Sequence, residues 1–172
     1  MNAEREDRMA RVLRGALAGL VAGVAASFAM DRFQAAVSAL TPSDGSDDGD
    51  AEPATEKAAD GVAEAVTGHE VARPDKPLAG QGVHYAFGIG LGIAYGIAAE
   101  YRPAVTTGRG AVFGLGTATL FDEALVPAAG LGDVPWKAGA SSHLYSYASH
   151  LVFSGTAELV RAQVAATLRP AG

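Results

Sequence analysis

The sequence predicts an all-α protein, a four-helix transmembrane bundle with an acidic extracytoplasmic insertion that contains a short amphipathic helix. Three observations predict it. Four stretches have the length and apolar content to cross a bilayer, which takes roughly 20 residues at about 1.5 Å each. Glycines recur every fourth residue in two of those stretches, the spacing that lets membrane helices approach closely. Polar and acidic residues gather between Ser43 and Asp75, so the slightly positive mean hydropathy of the whole hides a sharp partition. A chain of 172 residues fits one domain, here a single membrane domain over residues 1–172.

Composition narrows the function classes. Cysteine is absent, which removes disulfides, thiolate metal sites and a cysteine nucleophile. A formal charge of −6, with no basic groove or aromatic platform, argues against nucleic acid as a partner. The partner that composition does imply is the lipid bilayer.

The first membrane segment covers about residues 12–40. It follows a polar start with Arg5, Arg8, Arg11 and Arg14 and is read as a retained helix, because the apolar run is long and lacks a clear small-x-small cleavage site. Gly15, Gly19 and Gly23 form its smooth face. The polar insertion, residues 41–80, opens with the acidic linker SDGSDDGD at 43–50, which cannot bury apolar surface. Thr55–Val66 then sets Ala58, Ala59, Val62, Ala65 and Val66 against Glu56, Lys57, Asp60 and Glu64, an amphipathic helix ended by Gly68. The run ARPDKPLAG is expected to break any helix before the next segment.

The second segment, residues 81–99, carries Gly88, Gly92 and Gly96, with His84 near its start. Its Gly-x-Gly-x-Gly lies in an apolar run and has neither dinucleotide spacing nor a P-loop lysine. The third, residues 110–127, is interrupted by Asp122-Glu123. A connection with Trp136 and Lys137, read as interfacial anchors, leads into the fourth, residues 141–161. Glycine faces on the first two segments leave a homo-oligomer open.

The fourth segment, SSHLYSYASHLVFSGTAELVR, is the stretch that organises the rest. His143, Tyr147, His150 and Ser154 fall at helical spacings on one stripe, and Glu158 continues it. An ionisable group costs about 2.5–3.5 kcal/mol at the centre of a membrane helix, so such residues turn inward and find partners. The stripe is therefore expected to face polar groups of neighbouring helices.

Arginines concentrate at both termini and in the second-to-third turn, so the positive-inside rule puts both termini in the cytoplasm of an inner-membrane, multi-pass protein. Asp31, His84, Asp122, Glu123 and His143 then share one outer level, with His150 deeper and Glu158 near the inner face.

The residues HYAFGIGLGIAYG, FDEALVPAAGL and SHLYSYASHLVFSGTAELVR resemble the YagU family, also catalogued as a domain of unknown function, DUF1440. The matching features are Asp122-Glu123, Pro127 and Gly130-Leu131 in the third segment, then Ser146, His150, Glu158 and Arg161 in the fourth. Asp122 stands where that family commonly has histidine, and the acidic insertion is longer and more polar than usual. The resemblance implies a small prokaryotic inner-membrane protein with a loose association with acid resistance, and it brings no catalytic residues.

Three chemistries fit these residues. Glu123, His143, His150 and Glu158, with Asp122, His84 and Tyr147, could hold or pass protons or ions, since imidazole titrates near neutrality and buried carboxyls shift upward. A transition metal, with or without enzymatic use, could be held by His84, Asp122, Glu123 and His143, although no HExxH or Glu-x-x-His pair is present. In the third reading the polar groups only hydrogen-bond the helices together, at about 1 kcal/mol or less per contact. Individual residues have plainer expectations: Asp31 self-paired with Arg32, His69 solvated, Tyr145 facing lipid headgroups, Arg161 anchoring the cytoplasmic surface.

Overall fold

The computed structural model describes residues 2–41 and 52–169. Among these residues the chain forms five helices and no strand: α1 Asn2–Leu40, α2 Ala54–Thr67, α3 Lys76–Tyr101, α4 Ala111–Ala128 and α5 Ala140–Thr167. The linker at 43–50 lies outside the described residues. Helices α1, α3 and α4 are long and apolar enough to cross a membrane. At 28 residues α5 has the length, but its Ser, Tyr and His residues keep it short of that apolarity. Three of the four expected membrane segments thus have both the length and the apolarity to span a bilayer.

Two boundaries also move. The first helix runs back through the polar amino terminus to Asn2 instead of starting near residue 12. Residues 72–75 of the ARPDKPLAG run separate α2 from α3 as expected, but its remainder, residues 76–80, already belongs to the helix expected to start at residue 81. Arg73–Asp75 makes a 3₁₀ turn, and α3 starts at Lys76 with Pro77 in its first turn, where a missing N–H removes no helical hydrogen bond.

Helix α1 is the centre of the assembly, and two neighbouring stripes on it explain why. Gly15, Gly19 and Gly23 lie against Gly96, Gly92 and Gly88 of the antiparallel α3. The glycine faces that left a homo-oligomer open thus meet each other within one chain. Three residues along from each, Ala18, Ala22 and Ala26 are fully buried; the last two join Met30 with Phe153 and Ala157 of α5 in the core. Small side chains on both stripes bring three helices close, which in a lipid setting is how packing contact is gained. Leu13, Leu17, Leu20, Val21, Val24 and Phe28 of α1 stay exposed, an apolar face with no partner among the described residues, of the kind that marks contact with lipid or another apolar surface.

Helix α4 packs antiparallel on α5, where a Cβ added to Gly114 would stand only 2.7 Å from the His150 carbonyl oxygen. It stops at Gly130, whose φ of 71° is left-handed; the Gly130 and Leu131 N–H groups donate back to the Pro127 and Val126 carbonyls. That paired arrangement is a Schellman stop, and it accounts for Pro127, Gly130 and Leu131 as a helix end. Helix α2, ended by Gly68 at φ 77°, rests on the start of α3. Asp60 accepts from the Lys76 ammonium and from the Val71 N–H at 3.1 Å, and Lys76 also donates to Glu52 at 2.6 Å.

Candidate functional site

The site begins with a backbone irregularity. Residues Phe121–Leu125 of α4 form a π-turn, in which the Val126 N–H reaches the Phe121 carbonyl five residues back. Successive residues of an α-helix point about 100° apart, so Asp122 and Glu123 could not both address α5 from a regular helix. The wider π-turn narrows that divergence, and such turns recur at functional sites. Both carboxylates here reach α5. Glu123 Oε1 is 2.7 Å from His143 Nδ1, and the other ring nitrogen of His143 is 3.0 Å from the Pro135 carbonyl oxygen. Asp122 accepts a hydrogen bond from Ser146 Oγ and lies 3.5 Å from His150 Nδ1, which is also 3.1 Å from the Ser146 carbonyl oxygen.

The facing wall is built from α1 and α3. Their antiparallel glycine seam sets the far end of α1 beside the start of α3, so Asp31 meets His84 and Gln81. Gln81 donates to Asp31 Oδ2 at 2.8 Å. His84 Nε2 is 3.2 Å from Asp31 Oδ1, within ion-pair reach but off the line of a hydrogen bond, and that nitrogen is buried without a hydrogen-bond partner. Between the two walls lies a cavity of about 750 Å³ with Asp31 and His84 on one side and Asp122 and His150 on the other. The start of α2, from Pro53 to Ala58, forms its roof. Glu123 and His143 stand outside it and face one another.

The opposite end of the bundle is built from permanent ion pairs. Arg161 grips Glu158 with two hydrogen bonds of 2.7 Å, and the buried Tyr95 hydroxyl donates to Glu158 at 2.8 Å. Arg14 of α1 donates to Glu100 of α3 at 2.9 Å, with the Glu100 side chain only 6% exposed. A contrast follows in how acids are balanced. Among the described residues Asp31, Asp122 and Glu123 have only histidine within ion-pair distance, whereas Glu100 and Glu158 have arginine.

The stripe expected on the fourth segment meets polar partners throughout the half nearer the start of α5: His143 with Glu123, Tyr147 with Thr119 at 2.9 Å, His150 with Asp122. His150 lies about two turns along α5 from His143, as expected, and reaches Asp122 at the cavity. Several expectations change. The metal set His84, Asp122, Glu123 and His143 does not converge: His84 belongs to the α1–α3 wall, Glu123 and His143 pair outside the cavity, and no group of three such side chains suits a metal among the described residues. Asp31 pairs with His84 instead of Arg32, whose guanidinium lies 5.4 Å over the Phe28 ring. Tyr145 stacks on Phe33 with ring centroids 6.4 Å apart, and Arg161 is buried at 9% exposure instead of anchoring a surface.

Gln81, Tyr95, Glu100 and Arg14 take part in these contacts without having been singled out from the sequence. Gln81 and Asp31 carried a legible signal, because both sit at the level of His84 once the two glycine runs are set antiparallel. Tyr95 carried none, since an apolar helix tolerates tyrosine anywhere near its ends.

The fold defines a class: a helical membrane protein, with three helices long and apolar enough to cross a bilayer. Within that class, residues 39–159 match the family model described as a protein of unknown function, DUF1440, and the chain belongs to that family. No curated protein and no solved structure matches it.

Proposed function

We propose that this chain is a multi-pass protein of the cytoplasmic membrane, a four-helix transmembrane bundle in which the Asp–His pairs around the cavity take up and release protons. Both termini lie in the cytoplasm in this reading, and α2 lies outside as part of the acidic insertion. The observation that carries it is the pairing rule at the cavity, where Asp31 and Asp122 have only histidine within ion-pair distance among the described residues. As a residue type histidine can take up or give up a proton, whereas an arginine partner holds its charge throughout. Asp31, His84, Asp122 and His150 are the exchanging groups, Glu123 and His143 an adjoining pair, and Tyr147 holds α4 to α5. Glu158, fixed by Arg161 and Tyr95, closes the inner end. The association with acid tolerance implied by the family resemblance belongs to the same reading.

The test is proton movement in vesicles loaded with a pH-sensitive dye. Wild-type protein is expected to dissipate an imposed pH gradient faster than empty vesicles, with His150→Ala and His84→Ala slowing it. Wild-type traces that overlay those of empty vesicles sink the reading; if His150→Ala and Glu123→Ala also unfold the protein, the polar pairs serve to hold the helices together.

A further inference from the structure

The cavity has a chemical character that proton exchange does not use. Among the described residues no Lys or Arg lines it, while Asp31, Asp122 and Glu56 supply carboxylates from α1, α4 and the roof helix α2. The remainder of the wall is largely apolar and includes Phe87, Phe121 and Phe153. Phe87 and Phe121 meet edge to face with centroids 4.6 Å apart. A volume of about 750 Å³ is that of a pocket for a drug-sized molecule. An anion would meet three carboxylates and no permanent positive charge. A neutral molecule would leave Asp31 and Asp122 with imidazole as their only partner at ion-pair distance among the described residues. A cation with an apolar body satisfies both walls, its charge between the carboxylates and its body on the aromatic rings, whose faces attract positive charge. The buried His84 nitrogen that makes no hydrogen bond adds a polar contact point on the same wall.

We infer that this cavity binds a hydrophobic organic cation, held by Asp31 and Asp122 and packed against Phe87, Phe121 and Phe153. The inference rests on the same site as the proton-exchange reading and supplies its substrate class, but it is read by binding and needs no proton flux.

The experiment uses the full chain in a non-ionic detergent with two probes of one shape and opposite charge, tetraphenylphosphonium and tetraphenylborate. Saturable binding of the phosphonium and none of the borate is expected. Asp31→Asn and Asp122→Asn should each weaken phosphonium binding by about tenfold or more, with helical content unchanged, while Asp7→Asn at the exposed amino terminus leaves it unaltered. Should both cavity variants fail to fold, Glu56→Gln on the surface helix α2 carries the charge test, with a loss of about threefold expected. Equal binding of the two ions, no saturable phosphonium binding by folded wild type, or a folded charge variant that binds like wild type overturns the inference. Selective phosphonium binding beside flat vesicle traces removes proton exchange and keeps the binding site; the reverse pattern does the opposite.

Discussion

Gly19 of α1 lies against Gly92 of α3 with no space for a methyl group between them: a Cβ on Gly19 would stand 2.8 Å from both the Gly92 carbonyl carbon and the Ile93 Cα. Backbone cannot retreat as a flexible side chain can, so the helices themselves must part. Gly19→Ala is expected to destabilise the bundle by about 1–3 kcal/mol, and Gly19→Leu by more. Gly90 has open space around it on the same α3, and Gly90→Ala should be neutral or gain up to about 1 kcal/mol of helix propensity. Thermal denaturation in detergent distinguishes the two positions, and equal midpoints for Gly19→Ala and Gly90→Ala would contradict the seam.

At the arginine-balanced end, removing one partner leaves the other charge buried. Arg161→Leu should cost about 3–5 kcal/mol, because Glu158 then keeps only the Tyr95 hydroxyl. The double variant Arg161→Leu/Glu158→Leu should recover a large part of that loss. A double-mutant cycle read by SDS titration checks it, and additive losses would show that the pair is not coupled.

The roof helix responds to pH through Asp60. The hydrogen bond from Lys76, aided by the Val71 N–H, holds the Asp60 carboxyl below the usual aspartate range. A depressed folded value means that the docking contribution is fully present above the unfolded value of about 3.9 and is lost as pH falls through the folded one. Helix α2 should therefore stay docked on α3 at pH 5 to 7 on that scale and loosen only below about pH 4. Hydrogen exchange of residues 54–67 across that range measures it. Asp60→Asn should flatten the response, and an unchanged pH profile in that variant would assign the effect elsewhere.

Topology is open to a labelling test, since the chain has no cysteine of its own. Gly61 has nothing within 4 Å, and Met9 is 57% exposed, so Gly61→Cys and Met9→Cys are mild changes. In intact cells an impermeant maleimide should label Gly61→Cys and spare Met9→Cys, with both labelled after lysis. The opposite pattern inverts the proposed orientation.

Much of the architecture was legible because membrane spans announce themselves by length and apolarity, and because glycine at four-residue spacing means a close helix partner. What that spacing could not tell was which partner: Gly15, Gly19 and Gly23 fit a second copy as well as they fit Gly96, Gly92 and Gly88. The stripe His143, Tyr147, His150 was readable from its period, and its partners followed from the antiparallel run of α4. Asp31 was obscured by its neighbour Arg32, a pairing that side-chain direction on a helix does not permit for adjacent residues. Arg161 closes an apolar segment, where a basic residue reads as a surface anchor, yet Glu158 three residues back holds it inside the bundle. Pro77 in the first turn of α3 looked like a breaker because proline stops and starts helices alike.

The π-turn at Phe121–Leu125 makes α4 one residue richer than a regular helix of the same rise. Deleting Ala124 alters none of the polar groups, yet it lets the turn relax to ordinary winding: Val126 stays over Phe121, while Asp122 and Glu123 return to a divergence of about 100°. One of the two carboxylates would then turn away from α5. In this family member the spelling of the third helix therefore includes its count: a shortened chain with every acid and imidazole retained loses the alignment as surely as one that has lost Asp122 itself.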